Sequence, residues 1–251
     1  MSKIKIYRPR VLVIVNHGWT IRNFLLSPFF SRLNRTCEIY LVSNLSKKDL
    51  KDMNIKTKGL YETISFTKSL MHERIAMRIA GYHFALAGTE TMKIKSSWAL
   101  LQRSYLHNFR IRLETYVMTK IFGPSILNIL DKLDYWFTLR NKDSKYYKKL
   151  YESIKPDVVF STFSVLLDER LPLYIAKSMN IKTAVNVTSW DNISSKGRLP
   201  YGIDRYFVWS EIMKEEVKNF HLPIKNYQIM VSGTPQFDFH KDKSLIDNLN
   251  I

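Results

Sequence analysis

Val11-Leu-Val-Ile-Val-Asn16, followed at once by His17-Gly18-Trp19-Thr20, decides the fold. An unbroken apolar, β-branched run of this length, with no alternation, reads as a parallel strand buried on both faces. Beyond it a helix is expected, with Thr20 as its N-cap and Phe24, Leu25, Phe29 and Leu33 near helical spacing. Glu38–Ser43 reads as a second strand, Lys47–Met53 as a short polar helix and Tyr61–Phe66 as a third strand. A β-α-β-α-β opening of this kind belongs to an open parallel sheet.

The pattern then changes. Residues 68–120 read as long helices with no strand. They carry nine basic residues (Lys68, Arg74, Arg78, Lys93, Lys95, Arg103, Arg110, Arg112, Lys120) against three acidic ones (Glu73, Glu90, Glu114), interleaved with apolar and aromatic side chains. Gly123-Pro124 punctuates. Helices follow over Ser125–Leu139 and Lys142–Ile154. Alternation resumes with strands at Asp157–Ser161, Lys182–Val187, Arg205–Trp209 and Tyr227–Val231. Helices fall between them at Arg170–Met179, where Pro172 is expected near the first turn, and Glu211–Phe220. Ser244 would cap a short terminal helix. The expected architecture is α/β: a Rossmann-like doubly wound parallel sheet of about seven strands, ordered 3-2-1-4-5-6-7, with a helical insertion (68–154) between strands 3 and 4.

Composition narrows the classes. The 251 residues carry 39 Lys plus Arg against 22 Asp plus Glu, a formal charge of +17. Such a chain is drawn to phosphates or to an anionic membrane surface. Nucleic acid is the third and least favoured partner, because zinc-finger spacing, a basic-region heptad and an aromatic RNA-binding signature are all missing; a salt-dependent gel shift discriminates it. No run of about 18 apolar residues suggests a spanning helix, and Arg8, Arg10 and Asn16 interrupt any signal-peptide core. Cys37 is the only cysteine, so no internal disulfide forms, which fits a cytoplasmic setting. The six histidines are scattered, so no metal site is expected.

Ligands of open α/β sheets bind beyond the carboxyl ends of the strands, near the switch between strands 1 and 4. That rule selects four loops. His17 either accepts a proton from a hydroxyl nucleophile or caps the helix and lines the cleft. Gly18 lets backbone amides approach a ligand at a helix N-terminus, beside Trp19. Ser161 and Thr162 either bond substrate hydroxyls or form a capping turn. Asp168 and Glu169 complement a helix N-terminus. In Thr188–Gly197, Asp191 is a candidate base. Asp191, Asn192 and Ser189 would grip hydroxyls, Trp190 offers a flat apolar face and Lys196 a cation for phosphate. The alternative is an Asx-turn loop with a buried tryptophan and a solvated lysine. Gly233 and Thr234 follow the last strand.

These stretches, together with Lys155-Pro-Asp-Val-Val-Phe-Ser-Thr162, Phe207-Val-Trp-Ser-Glu211 and Val231-Ser-Gly-Thr-Pro-Gln-Phe-Asp238, resemble the N-terminal half of bacterial GT-B glycosyltransferases of surface and capsular polysaccharide synthesis. More distantly they resemble CDP-glycerol glycerophosphotransferases and UDP-GlcNAc 2-epimerases. The resemblance covers most of residues 10–240. It implies an acceptor-binding domain over 1–238, with 239–251 beginning a linker to a donor-binding domain of about 150 residues that this chain does not contain. It also implies a nucleotide-sugar donor, a glycan acceptor, often lipid-linked, at the inner face of the membrane, metal-independent transfer without a cofactor, and a base at His17 or Asp191. On this view the chain is incomplete alone: it is either a truncated product or works with a separate donor-binding subunit. The alternatives are a non-catalytic membrane-associated subunit and a glycerophosphotransferase-like polymer synthase.

Overall fold

β1 (Arg10–Val15) lies at the centre of the sheet and serves two cores at once. Leu12 and Ile14 pack into one layer, Val11, Val13 and Val15 into the other, as the period of two along a strand dictates. The structure is a computed structural model that describes residues 7–64, 70–87, 105–163 and 167–241. Among them, seven parallel strands form one sheet in the order β3-β2-β1-β4-β5-β6-β7. The strands are β2 (Glu38–Ser43), β3 (Gly59–Glu62), β4 (Val158–Ser161), β5 (Lys182–Asn186), β6 (Arg205–Val208) and β7 (Ile229–Val231). This is the expected Rossmann-like order. β1 pairs in register with both β2 and β4, so the chain reverses its direction of travel across the sheet at β1.

Local differences from the expected pattern have physical causes. His17, not Thr20, occupies the N-cap of α1 (Gly18–Thr20), and buried Thr20 donates its hydroxyl to the His17 carbonyl at 2.8 Å. The helix widens into a π-helical turn (Ile21–Leu25) and stops, because residues before proline disfavour the helical region. Ser27 is extended, and Pro28 opens α2 (Pro28–Thr36). After α3 (Lys47–Asp52), β3 begins at Gly59, two residues earlier than expected. A Cβ there would come within 2.9 Å of the Tyr61 ring and 3.2 Å of Tyr40. Residues 65 and 66 of the expected strand lie outside the described residues. Tyr227 falls in a 3-10 turn (Asn226–Gln228) that precedes β7.

The insertion supplies α4 (Leu70–Ala87), α5 (Tyr105–Phe122), α6 (Ser125–Leu139) and α7 (Ser144–Ile154). α4 and α6 share a small core of their own, with Ile75, Ile79, Ile126, Leu127 and Leu130. α7 joins the main core through Tyr147 and Tyr151. Pro172 lies well inside α8 (Leu167–Ser178), not in its first turn. Its carbonyl accepts the buried Tyr151 hydroxyl at 2.9 Å, which ties α7 to α8. α9 (Glu211–Phe220) is capped by Ser210, whose hydroxyl accepts from the Met213 amide. Ser244 lies outside the described residues.

Candidate functional site

At the carboxyl edge, His17 follows β1 and Phe163 follows β4, and the parallel register brings them together. The half-buried His17 ring stacks on Trp19 (centroids 6.0 Å apart, 23° between planes) and meets the edge of Phe163 at 5.5 Å. Trp19 itself stands edge-on to Phe163 at 4.8 Å. An imidazole braced by two aromatic rings has its orientation set before any ligand arrives. Gly18 is exposed, and a Cβ there would project into open space with nothing within 4 Å. Ser161 and Thr162 are wholly buried. Ser161 donates to the Phe163 carbonyl and contacts buried Glu169, which also accepts the Phe163 amide. Thr162 donates to the Ile14 carbonyl at 2.9 Å. Both hydroxyls thus build the floor beneath the His17 cluster, in the manner of a capping turn. The side chain of Asp168 lies outside the described residues.

The loop after β5 is anchored at three points. Thr188 donates to the Thr162 carbonyl at 3.1 Å. In the middle, the Ile193 carbonyl lies 2.8 Å from Nε2 of His221, the C-cap of α9. The Leu199 amide donates to Nδ1 of the same ring, so Nε2 carries the proton and donates to Ile193. At the far end Arg198 forms a two-pronged pair with Asp131 of α6, at 3.0 and 2.7 Å, and also donates to the Leu222 carbonyl. Between the anchors Ser189 and Asp191 are half-buried, and Trp190 is 65% exposed. The tryptophan is therefore on the surface, not the buried ring of the Asx-turn alternative. Asn192 is buried, and its Nδ2 meets no acceptor among the described residues. Residues 192–196 form a π-helical turn. Lys196 belongs to it, and its side chain lies outside the described residues.

The His221 ring packs 4.7 Å from His83 of α4. Burial pushes both imidazoles down, His83 to about 2 with help from the His221, Arg198 and Arg170 charges, and His221 to about 3. Each is held neutral in the folded chain while its unfolded counterpart protonates near 6.5. Stability is then complete above that value and is lost as pH falls toward the folded value. Between neutrality and pH 5 the loss is about 2 kcal/mol for each histidine. Urea titrations at several pH values check this, and His83→Leu should roughly halve the slope. A flat profile down to pH 5 would show that the pair is not buried neutral.

After β7 the chain turns at Gly233 (φ +71°), a left-handed position that favours glycine. Thr234 follows at the start of a 3-10 turn (Pro235–Lys241). That turn folds back on the β1 loop: Asn23 donates to the Gln236 side chain at 3.0 Å, and Phe237 stands edge-on to Trp209. Sequence reasoning missed Phe163, Glu169 and the Asn23–Gln236 link. An aromatic directly after a central strand was the available signal for Phe163. Two hollows lie elsewhere. One, about 650 Å³, is lined by Lys47, Lys51, Lys56 and Lys58 beside β3. The other, about 390 Å³, opens at the amino ends of β6 and β7 between Asn128, Lys132, Tyr201 and Lys225. Neither is lined by any of the candidate residues, of which Gly18, Trp19 and Trp190 are exposed and Ser161, Thr162 and Asn192 buried.

No family model matches the chain, and comparison with curated proteins returned no relative. Among solved structures, UDP-N-acetylglucosamine 2-epimerase from Rickettsia bellii aligns with 12% identity and a TM-score of 0.48, covering 98% of this chain and 52% of the other. The UDP-GlcNAc 2-epimerase from Methanocaldococcus jannaschii aligns with 12% identity and a TM-score of 0.44, over 96% and 52%. That from Neisseria meningitidis, bound to UDP-GlcNAc, gives 11% and 0.45, over 96% and 51%. The chain spans about half the length of these proteins.

Proposed function

We propose that the chain is the acceptor-binding half of a GT-B sugar transferase of surface-polysaccharide synthesis, which moves a sugar from a nucleotide-sugar to a lipid-linked glycan. The observation that carries this reading is the His17 imidazole, braced by Trp19 and Phe163 at the switch point of the sheet, where open α/β folds place their ligands. The sheet order and the exposed Gly18, Trp19 and Trp190 support it: a second Rossmann domain, as part of a longer protein or a separate subunit, would close over that edge.

In this mechanism His17 takes the proton from the acceptor hydroxyl as that oxygen bonds to the anomeric carbon. The bond from that carbon to the nucleoside diphosphate breaks, and the electron pair leaves with the diphosphate, which the donor half stabilises. Asp191 is the second candidate base. Ser189 and Asp191 hold sugar hydroxyls, with buried Asn192 beneath them in the same turn; Gly18, Gly233 and Thr234 leave room for the glycan, and Lys196 balances phosphate. Trp190 and Trp19 are platforms for sugar faces.

The test is transfer of labelled sugar from a nucleotide-sugar panel to a lipid-extractable product by this chain together with its donor-binding half. Absence of any transfer, with the two halves shown to associate, sinks the reading. Trp190→Ala provides a finer check. It should raise KM for the acceptor about tenfold, equivalent to about 1.4 kcal/mol of lost platform contact. It should leave the unfolding free energy within about 0.5 kcal/mol of the parent, since the ring is on the surface. An unchanged KM would remove Trp190 from the site.

A further inference from the structure

The insertion helices α5 and α6 sort their charges by face. Of the three acidic residues on them, Asp131 and Asp134 are buried and Glu114 is half-buried, and all three are paired. Glu114 accepts from Arg78 at 2.8 Å and from Tyr82 at 2.9 Å. Asp131 is held by Arg198, and Asp134 accepts from Arg170 and Tyr174. The outer surface is different. On α5, Phe109, Leu113, Tyr116 and Ile121 are exposed, Ile121 by 66%. The spacing of Phe109, Leu113 and Tyr116 puts them on one side of the helix, and Ile121 is exposed near its end. On α6, joined to α5 through the Gly123–Pro124 turn, Ile129, Leu133 and Trp136 repeat the pattern. The described charges among them are all cations: Arg110, Lys120, Lys132 and Arg140, each exposed. Two of these lie over aromatic rings, Lys120 over Tyr116 and Arg140 over Trp136 at 3.4 Å.

We propose that this outer face of α5 and α6 seats on a lipid leaflet rich in anionic headgroups, with the apolar stripes entering the acyl boundary and the cations lying among the phosphates. Exposed apolar rows of this extent are not left in water without a use, and a helix that is apolar and cationic on one side is built for an interface. A second copy is the poorer occupant: it would set cations against cations on a chain of net charge +17. Nucleic acid would satisfy the cations and leave Ile121 and Leu133 in water. None of the described helices is long and apolar enough to cross a membrane, so the contact is parallel to the surface. The proposal deepens the transferase reading by naming the surface on which a lipid-linked acceptor sits. It is measured without sugar transfer, so the two fail separately.

The experiment is sedimentation of the full chain with phosphatidylcholine vesicles, with and without phosphatidylglycerol, at low and high salt. Binding should require phosphatidylglycerol and weaken with salt. Each cation removed should cost about fivefold, so Lys120→Gln with Arg140→Gln should lower the partition coefficient about thirtyfold. Ile121→Asp with Trp136→Asp should abolish it. All four positions are exposed, so melting temperatures should match the parent and show that the variants fold. No sedimentation with either vesicle overturns the proposal, as does equal binding to both that the variants leave intact. A dimer in solution that Ile121→Asp dissociates, with no vesicle binding, assigns the face to a second copy and also overturns it. Retention of duplex DNA that depends on the same cations, again without vesicle binding, does the same.

Discussion

Arg198→Ala should lower the unfolding free energy by about 3–5 kcal/mol, a large part of the roughly 5–15 kcal/mol that holds a domain together. Both partners of the pair are nearly sealed from water, with side chains 4% and 5% exposed. Burial, with the neighbouring Asp134 charge, pushes the Asp131 carboxyl up in spite of Arg198 and Arg170 beside it. The pair therefore gains little from being ionic, yet breaking it strands a buried carboxylate. A carboxyl whose folded value is raised costs nothing below its unfolded value, and the cost grows as pH rises through the folded one. The damage in Arg198→Ala should accordingly be smallest below about pH 4 and largest near neutrality. Replacing both partners, as Arg198→Met with Asp131→Leu, should recover most of the loss. Urea denaturation at pH 4 and 7 measures all of this. A single-variant cost below about 1 kcal/mol would mean that the pair behaves as a surface bridge.

His17→Ala is the counterpart in activity. Under the transferase reading it should lower kcat by about 10² to 10⁴-fold with little change in KM, the signature of a group acting in the transition state. The ring is half-buried and touches Trp19 and Phe163 without filling the core, so the thermal midpoint should move little. Asp191→Asn separates the two candidate bases: whichever substitution produces the large kcat loss identifies the proton acceptor. If both leave kcat intact, neither residue is the base.

The sheet was legible because its signal is local and strong. Val11–Val15, Glu38–Ser43 and Arg205–Val208 announce themselves through apolar runs whose length and β-branching fit strands, and the connection rules then order them. Boundaries slipped where a neighbour decides them, as at Gly59, whose glycine answers to Tyr40 and Tyr61. The site was legible as a set of loops, since any parallel sheet gathers its carboxyl ends on one edge. What joins those loops was not legible. Asp131 and Asp134 sit in Ser125–Leu139 like solvated helix charges, and nothing nearby shows that their partners are Arg198 and Arg170, 67 and 36 residues away. Glu169 likewise reads as a helix-dipole residue until Ser161 is found against it. The Trp190 alternatives differ only in which way the ring turns, a choice that the loop's anchors make.

Those anchors give the segment between β5 and β6 the properties of a cassette. Thr188 and Arg198 clip its ends, and Ile193 rivets its middle to His221. Between them Trp190 is exposed and Ser189 half-buried. A library that varies these two while retaining the clips would change the loop's outer surface and leave the frame in place. Grafting a longer hairpin into the same gap would need its two end bonds and the central carbonyl at His221 matched.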